Sequence, residues 1–460
     1  MASYEFGFDD FQNLGCHHLE DGKSVLVAAP TGAGKTIVGE FATFLAEKNG
    51  NRCFYTTPIK ALSNQKYQDL VKLYGDSEVG LLTGDSSINS EARIVVMTTE
   101  VLRNMIYAGS DAIDDLGYVV MDEVHYLADK FRGAVWEEIL IHLPERIQIV
   151  SLSATVSNAE EFGDWLKTVR GETEVVLSEI RPVPLYQHIL IGNRILDLFV
   201  DEGRVNPEIL RIEKNSIKKV PGGSKSWKES KFSSIKSLTR PEVVEKLSER
   251  GFLPAIFFIF SRAGCDGAVA SCIREGLSLT NSLEKEEIRR VIALKTHELP
   301  SEDFGVLGFH EWAQALERGI AAHHAGLLPM FKETIEELFQ RGLLKIVFAT
   351  ETLALGINMP ARSVVLEKLV KWNGESHVNV SPGEYTQLTG RAGRRGIDIE
   401  GNALILWNEQ MDSSIAAGLA STRTYPLRSS FSPTYNMSAN LISRFGHERA
   451  RKSLGFSFAQ

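Results

Sequence analysis

Ala29-Pro30-Thr31-Gly32-Ala33-Gly34-Lys35-Thr36 leaves a folded chain few options. An apolar run at 24–28 precedes it and reads as a buried strand. Residues 37–45 follow with apolar spacing suited to a helix. A strand that turns through glycines straight into a helix lets backbone N–H groups converge on phosphate oxygens, with the positive end of the helix behind them. In that frame Thr31, Gly32, Ala33 and Gly34 form a cradle. Lys35 meets the outer phosphates as a point charge, and the Thr36 hydroxyl is placed to hold Mg²⁺. A chance glycine turn in an α/β domain is the plain alternative, favoured slightly by Ala29 where the general pattern has glycine. Both flanking elements weigh the other way.

Strand-like runs at 52–56, 79–82, 94–98, 118–121, 147–152 and 174–177 alternate with helical patterns, which argues a parallel sheet covered on both faces. Polar residues recur just beyond these runs: Thr57, Pro58 and Lys60; Thr98; Asp122, Glu123 and His125; Ser153 and Thr155. Ligands of doubly wound sheets bind beyond the carboxyl ends of the strands, so the recurrence carries more weight than any single motif. Asp122 would hold Mg²⁺, and Glu123 would orient or deprotonate the attacking water, a role worth ~10²–10⁴ in rate. A solvated acidic turn is the weaker reading so close to a phosphate loop. Ahead of the loop, Phe6 and Gln12 offer a ring for the face of an adenine and a carboxamide for its edge, although a plain amphipathic helix reads at least as well.

Composition limits the partners. A net charge of −9 over 460 residues argues against coating nucleic acid by bulk charge, so any such contact needs a local basic lining. No apolar run approaches the ~18 residues of a membrane helix, and the N-terminus has no basic-then-apolar signal pattern. Cys16, Cys53, Cys265 and Cys272 form no CxxC pair, which indicates neither a disulfide framework nor zinc. A reduced, cytoplasmic setting without membrane contact is the expectation.

From 181 to 253 the character changes: Lys214, Lys218, Lys219, Lys225, Lys228, Lys231 and Lys236 stand among Ser and Gly, as in a linker with a flexible insertion. At 254 the alternation restarts, with strands at 255–260 and 345–349 and helices at 332–341 and 382–391. This second α/β domain has no phosphate loop. It offers Gln387, Arg391 and Arg394 in a glycine–arginine stretch, either a surface patch or guanidiniums aimed at a nucleotide held by the first domain. An arginine supplied in that way is worth ~10³–10⁵ in turnover. Asn373-Gly374 between β-compatible residues is a hairpin signal, with Trp372 near the tip.

Assembled, these residues resemble a superfamily-two DExH-box RNA helicase of the Ski type, and within it the actinobacterial HelY branch. The strongest strings are residues 57–66, His323-His324-Ala325-Gly326, residues 349–360 and residues 387–396. The resemblance implies two tandem RecA-like domains, at 1–180 and 254–425, joined by the 181–253 linker. A truncated start of a winged-helix region would follow at 426–460. It implies ATP and Mg²⁺ as cofactors, with Phe6, Gln12, Gly356 and Asn358 among the nucleotide contacts. His125, Ser153 and Thr155 would couple hydrolysis to movement. Thr57, Pro58, Lys60, Thr98, Ser261, Arg262 and Thr350 would grip the nucleic-acid backbone, and Gln387, Arg391 and Arg394 would sense the γ-phosphate. The paired His323 and His324 read as structural. Trp372 would stack on the last base pair of a duplex, or pack on its own domain. The expected activity is ATP-driven 3′→5′ movement on single-stranded RNA or RNA with a 3′ overhang, by a monomer serving RNA processing or decay. A DNA repair helicase and a nucleotide-gated RNA clamp are the alternatives.

Overall fold

Two units make up the chain, Met1–Arg181 with Thr424–Gln460, and Pro182–Arg423. The computed structural model describes residues 7–130, 132–201, 203–217, 235, 237–353, 359–373, 375–408, 411–422, 424–433 and 435–459. Phe6, Gly356, Asn358 and Lys218, Lys219, Lys225, Lys228, Lys231 and Lys236 lie outside these residues.

The first unit opens with helix α1 (Asp10–Glu20), strand β1 (Ser24–Ala28) and α2 (Thr36–Asn49). It continues through β2 (Arg52–Thr57), α3 (Lys60–Tyr74), β3 (Val79–Leu82), β4 (Ser87–Ile88) and β5 (Ile94–Thr98). Then come α4 (Thr99–Ala108), β6 (Leu116–Met121), α5 (Gly133–His142), β7 (Gln148–Ser153), α6 (Ala159–Arg170) and β8 (Thr173–Leu177). All six expected strands are present within a residue or two. Their order is β4-β3-β5-β2-β6-β7-β1-β8, parallel throughout except for the short β4. β1, buried at every residue, has no polar side to show, as a strand covered on both faces requires. Helix α2 lies close on the sheet because of Gly39: a Cβ there would sit 3.0 Å from Val120 and 3.2 Å from Tyr55.

The second unit begins inside the stretch expected to be a linker. β9 (Leu185–Ile191) pairs in parallel with a strand more than 200 positions later, and β10 (Arg194–Asp197) folds back on it. The small ribbon β11 (Phe199–Asp201) and β12 (Arg204–Val205) leads to α7 (Pro207–Ile217) and α8 (Arg240–Glu249). Residues 182–217 and 240–249 are therefore domain, not linker. Ile189, Ile191, Val243, Val244 and Leu247 are buried in its core, and neighbouring lysines mask that apolar content in the composition.

From there the chain runs β13 (Ala255–Phe258), α9 (Arg262–Arg274), α10 (Ser282–Lys295), α11 (Phe309–Glu317) and β14 (Ile320–His323). Next are α12 (Pro329–Gln340), β15 (Ile346–Ala349) and β16 (Ser363–Leu366). β17 (Val370–Trp372) and β18 (His377–Asn379) form the expected hairpin, before α13 (Pro382–Thr389), β19 (Gly401–Leu406) and α14 (Ser413–Ser421). The second sheet runs β10-β9-β19-β16-β13-β15-β14, again parallel but for one edge strand. Two mainly parallel α/β sheets are the tandem RecA-like arrangement.

No winged helix is visible among the described residues after 424. The chain crosses the first unit in extended form and ends in α15 (Tyr435–Leu454), which turns at Gly446. Phe458 packs edge-on to Phe162, with ring centroids 5.2 Å apart. Glu137 on α5 is fully buried and accepts from Ser429 Oγ, from Ser457 Oγ at 2.7 Å and from the Phe458 N–H at 3.0 Å. The tail thus completes the first unit, and the carboxylate inside it is fully hydrogen-bonded.

Candidate active site

Strand order brings the predicted residues together. Thr98, Thr57, Asp122, Ser153 and the glycine loop end five strands that are consecutive in the sheet, β5-β2-β6-β7-β1. At ~4.8 Å per strand, the row spans about 19 Å from glycine loop to Thr98.

At one end of the row, Gly32 (φ 81°) and Gly34 (φ 89°) take the left-handed conformation on either side of Ala33. Such alternation turns successive N–H groups to one side. No atom lies within 4 Å of where a Cβ on Gly32 would be, so the concave side is open. Lys35 Nζ is buried and donates to the carbonyls of Ala29 (3.0 Å) and Pro30 (3.3 Å), which holds it within the loop it would serve.

Gln12 is placed otherwise than an adenine reader. It is fully buried, its Oε1 accepts from the Asp9 N–H at 2.8 Å, and its Nε2 donates to the Gly34 carbonyl at 2.9 Å. The carboxamide caps α1 and fastens that helix to the loop, so both its ends are occupied within the protein. Phe11 supplies the buried ring of this helix.

Beyond β6, Asp122 is buried beside Glu123, and burial together with Glu123's charge pushes its carboxyl well above the usual carboxylate range. Its Oδ2 accepts from Tyr55 Oη at 3.1 Å and its Oδ1 from the Glu123 N–H at 2.9 Å. A cation beside Asp122 would relieve both charge costs, and the hard oxygen donors of Asp122 and Thr36 suit Mg²⁺. Glu123 sits at φ 54°, a conformation costing a non-glycine residue ~1–3 kcal/mol.

His125 joins this turn to the next. Its Nδ1 accepts from the Ala154 N–H at 3.3 Å, and burial with Lys35's charge lowers its pKa to about 3. The imidazole is therefore neutral with its proton on Nε2. The 3.4 Å approach of Glu123 Oε2 to Nδ1 is accordingly not an ion pair. Beside Ala154, Ser153 Oγ is buried and has no hydrogen-bond partner among the described residues, while Thr155 is buried one position further.

At the far end of the row, Thr57 Oγ1 bonds Ser63 Oγ (2.7 Å), and Thr99 Oγ1 donates to the Thr57 carbonyl (3.0 Å), locking the turns after β2 and β5 together. Thr98 is the N-cap of α4 and half-buried. Lys60, at the start of α3, reaches Asp85 at 2.5 Å in an exposed pair. The Pro58 carbonyl accepts from Arg132 at 3.2 Å.

In the second unit, Ser261 caps α9 by accepting from the Gly264 N–H at 3.2 Å, with exposed Arg262 next to it. Thr350 Oγ1 lies 3.0 Å from Thr352 Oγ1 at the end of β15. His323 and His324 each hold a separate carboxylate, Glu336 and Asp266, both at 2.9 Å, as suits a structural role. Gln387 lies on α13 and Arg391 and Arg394 just after it. The Arg394 guanidinium is forked onto Asp398 at 2.7 and 2.8 Å. Trp372 stands 56 % exposed on the hairpin, edge-on to His377 at 5.2 Å.

Several contributors show their role only through their contacts. Tyr55 lies inside an apolar run. Lys66, one turn along α3 from Ser63, meets Glu40 at 3.1 Å and stands 5.3 Å from the Tyr55 ring, which ties α2, α3 and the Asp122 partner together. Asp398 is four residues past Arg394, and only its contact reveals it.

Two family models match the chain: the DEAD/DEAH box helicase over residues 9–162 and the helicase conserved C-terminal domain over 278–396. The chain is similar to the probable helicase HelY of Mycobacterium tuberculosis, 56% identical over 469 residues, covering all of this chain and 52% of that protein. It is also similar to the DExH-box ATP-dependent RNA helicase DExH10 of Arabidopsis thaliana, 39% identical over 471 residues, covering all of this chain and 47% of that protein. Superkiller complex protein 2 of Mus musculus is 41% identical over 458 residues, covering 96% of this chain and 36% of the relative. The chain thus spans about half the length of its HelY relatives, 52%. With both helicase domains matched, and with Asp122-Glu123-Val124-His125 at the end of β6, the chain belongs to the Ski-type DExH-box helicases.

Proposed function

We propose that this chain is the motor of an ATP-dependent RNA helicase moving 3′→5′ on single-stranded RNA. The observation that carries this reading is the row of strand ends, in which nucleotide-loop, acidic and backbone-gripping residues follow one another and His125 bonds across to Ala154. ATP phosphates would lie on the Gly32–Gly34 loop against Lys35. Thr36 and Asp122 would hold Mg²⁺, which would neutralise charge on the phosphates. Glu123 would hold the attacking water and take its proton. Neutral His125 then passes any change in the Glu123 turn to the backbone after β7, and Thr57 with Thr99 carries the adjoining turns as one body.

The relative named as an ATP-dependent RNA helicase supports RNA over DNA, and RNA processing or decay is the setting the resemblance implies. The resemblance assigns Gln387, Arg391 and Arg394 to sensing the outermost phosphate, and Trp372 to stacking at a duplex end, worth ~1–3 kcal/mol per base.

The test is ATP turnover with poly-U, with poly-dT and without nucleic acid. The motor reading expects stimulation by poly-U above poly-dT, lost in Lys35→Ala and Glu123→Gln while circular dichroism stays unchanged. Equal stimulation by poly-dT points to the DNA alternative, and binding without turnover to the clamp. Direction is read from displacement on 3′- against 5′-tailed duplexes.

A further inference from the structure

We propose that Lys371 is the positioning residue that makes the β17–β18 hairpin move as one piece with the turn after Thr350 and with the helix carrying Gln387. The inference rests on the motor reading above and names how its duplex-splitting element is held.

Along β17, Val370 and Trp372 are exposed and Lys371 between them faces the opposite way, as strand alternation requires. Its side chain is 13 % exposed, and its ammonium meets two carboxylates from different elements. One is Glu351, in the 3₁₀ turn directly after Thr350; the other is Glu384, at 2.6 Å, in the first turn of α13. Glu384 is fixed independently, because its Oε2 accepts from the Ser381 N–H (2.8 Å) and Ser381 Oγ (2.9 Å), leaving Oε1 for Lys371. Glu384 also stands three residues before Gln387, on the same side of the helix.

Among the described residues, the hairpin is otherwise anchored only at its base, where Leu369 and Val380 are buried in the core of the unit. A two-stranded ribbon is marginal alone. Asn373 closes its tip by accepting from the N–H groups of Glu375 and Ser376 at 2.9 and 2.8 Å, and the Val380 N–H donates to Leu369 at its base. These bonds are internal. Among the described residues, Lys371 makes the only ion pairs between the hairpin and the body of the unit. The two pairs hold the Lys371 pKa above its usual value against the burial that would lower it. One ammonium thus bridges the strand carrying Trp372, the turn read as gripping nucleic acid and the helix read as sensing phosphate. Without it the hairpin keeps its shape and loses its bearing.

The experiment compares the unaltered chain with Lys371→Met and Lys371→Arg. Three quantities are read: poly-U-stimulated ATP turnover, strand displaced per ATP on a 3′-tailed RNA duplex, and hydrogen exchange of hairpin and α13 amides. Lys371→Met is expected to keep turnover within about twofold, to displace about tenfold less strand per ATP, and to exchange hairpin amides about tenfold faster with α13 unchanged. Lys371→Arg, which can keep both pairs, restores all three. Unchanged displacement per ATP or unchanged hairpin exchange in Lys371→Met overturns the inference. So does a parallel loss of turnover with α13 loosened, which marks a merely structural lysine. Absence of poly-U stimulation in the unaltered chain overturns the motor reading itself, and that result is separate.

Discussion

The Nδ1 atom of His125 accepts the backbone N–H of Ala154 at 3.3 Å, so the acidic turn after β6 is bonded directly to the turn after β7. The link uses a side chain on one side and main chain on the other, so replacing Ala154 leaves it in place while replacing His125 removes it. His125→Ala is expected to retain ATP turnover without RNA within about threefold and to lose about tenfold of its stimulation by poly-U. Stimulation equal to the unaltered chain would show that the bond transmits nothing.

Acid should drain the stability that two histidines give the first unit. His125 is buried and His142 half-buried, and both are neutral, with pKa values lowered to about 3 and about 4, against 6.5 in an unfolded chain. Between those values the unfolded chain binds more protons than the folded one. The stability the two residues contribute is therefore full above about 6.5 and drains as pH falls towards 4. Asp122, Asp69 and Glu138, whose carboxyls burial raises, work in the opposite sense, so the histidine contribution is isolated by replacing a histidine. Denaturant midpoints measured from pH 7 to pH 4.5 should fall, and should fall less steeply in His142→Phe.

Gln12 ties α1 to the carbonyl of Gly34 and is fully buried. Gln12→Ala should weaken ADP and GDP binding alike, by roughly tenfold each, because the loss of one buried hydrogen bond with its partner left unpaired costs ~1–3 kcal/mol. Calorimetric titration of both nucleotides checks this. A loss confined to ADP would restore the adenine-reading role.

Arg394 is oriented by Asp398, whose side chain is 5 % exposed. Asp398→Ala leaves Arg394 charged but no longer aimed, so turnover should fall about tenfold with little change in nucleotide affinity, as expected of an interaction used in the transition state. Steady-state kinetics with poly-U at saturation separates the two parameters.

Glu137 is buried with three donors from the tail. Glu137→Leu leaves those donors unsatisfied and is expected to cost ~2–4 kcal/mol of first-unit stability. Thermal unfolding should show the drop, together with faster proteolysis within 424–460.

Local chemistry explains which features could be read directly. The glycine loop, the hairpin at Asn373 and the strand runs each depend on residues within a few positions of one another, so their physics is written along the chain. The stretch expected to be a linker at 181–253 is domain over 182–217 and 240–249, because β9 holds its place only by pairing with β19, and lysines around α7 dilute the apolar signal. The tail likewise shows no local sign that Phe458 and Ser457 seat on α5 and α6.

The sequence alone determined the chemistry: which residues can cradle phosphate, carry a proton or offer a guanidinium, and that two α/β sheets would hold them. Only the tertiary structure decided who faces whom. It set the strand order that lines up five motif-bearing ends, turned Gln12 inward, placed Tyr55 on Asp122, and set Lys371 between Glu351 and Glu384. Those pairings join residues distant along the chain, and their partners are selected by sheet register and by the cost of burying a polar group unpaired, neither of which a local pattern records.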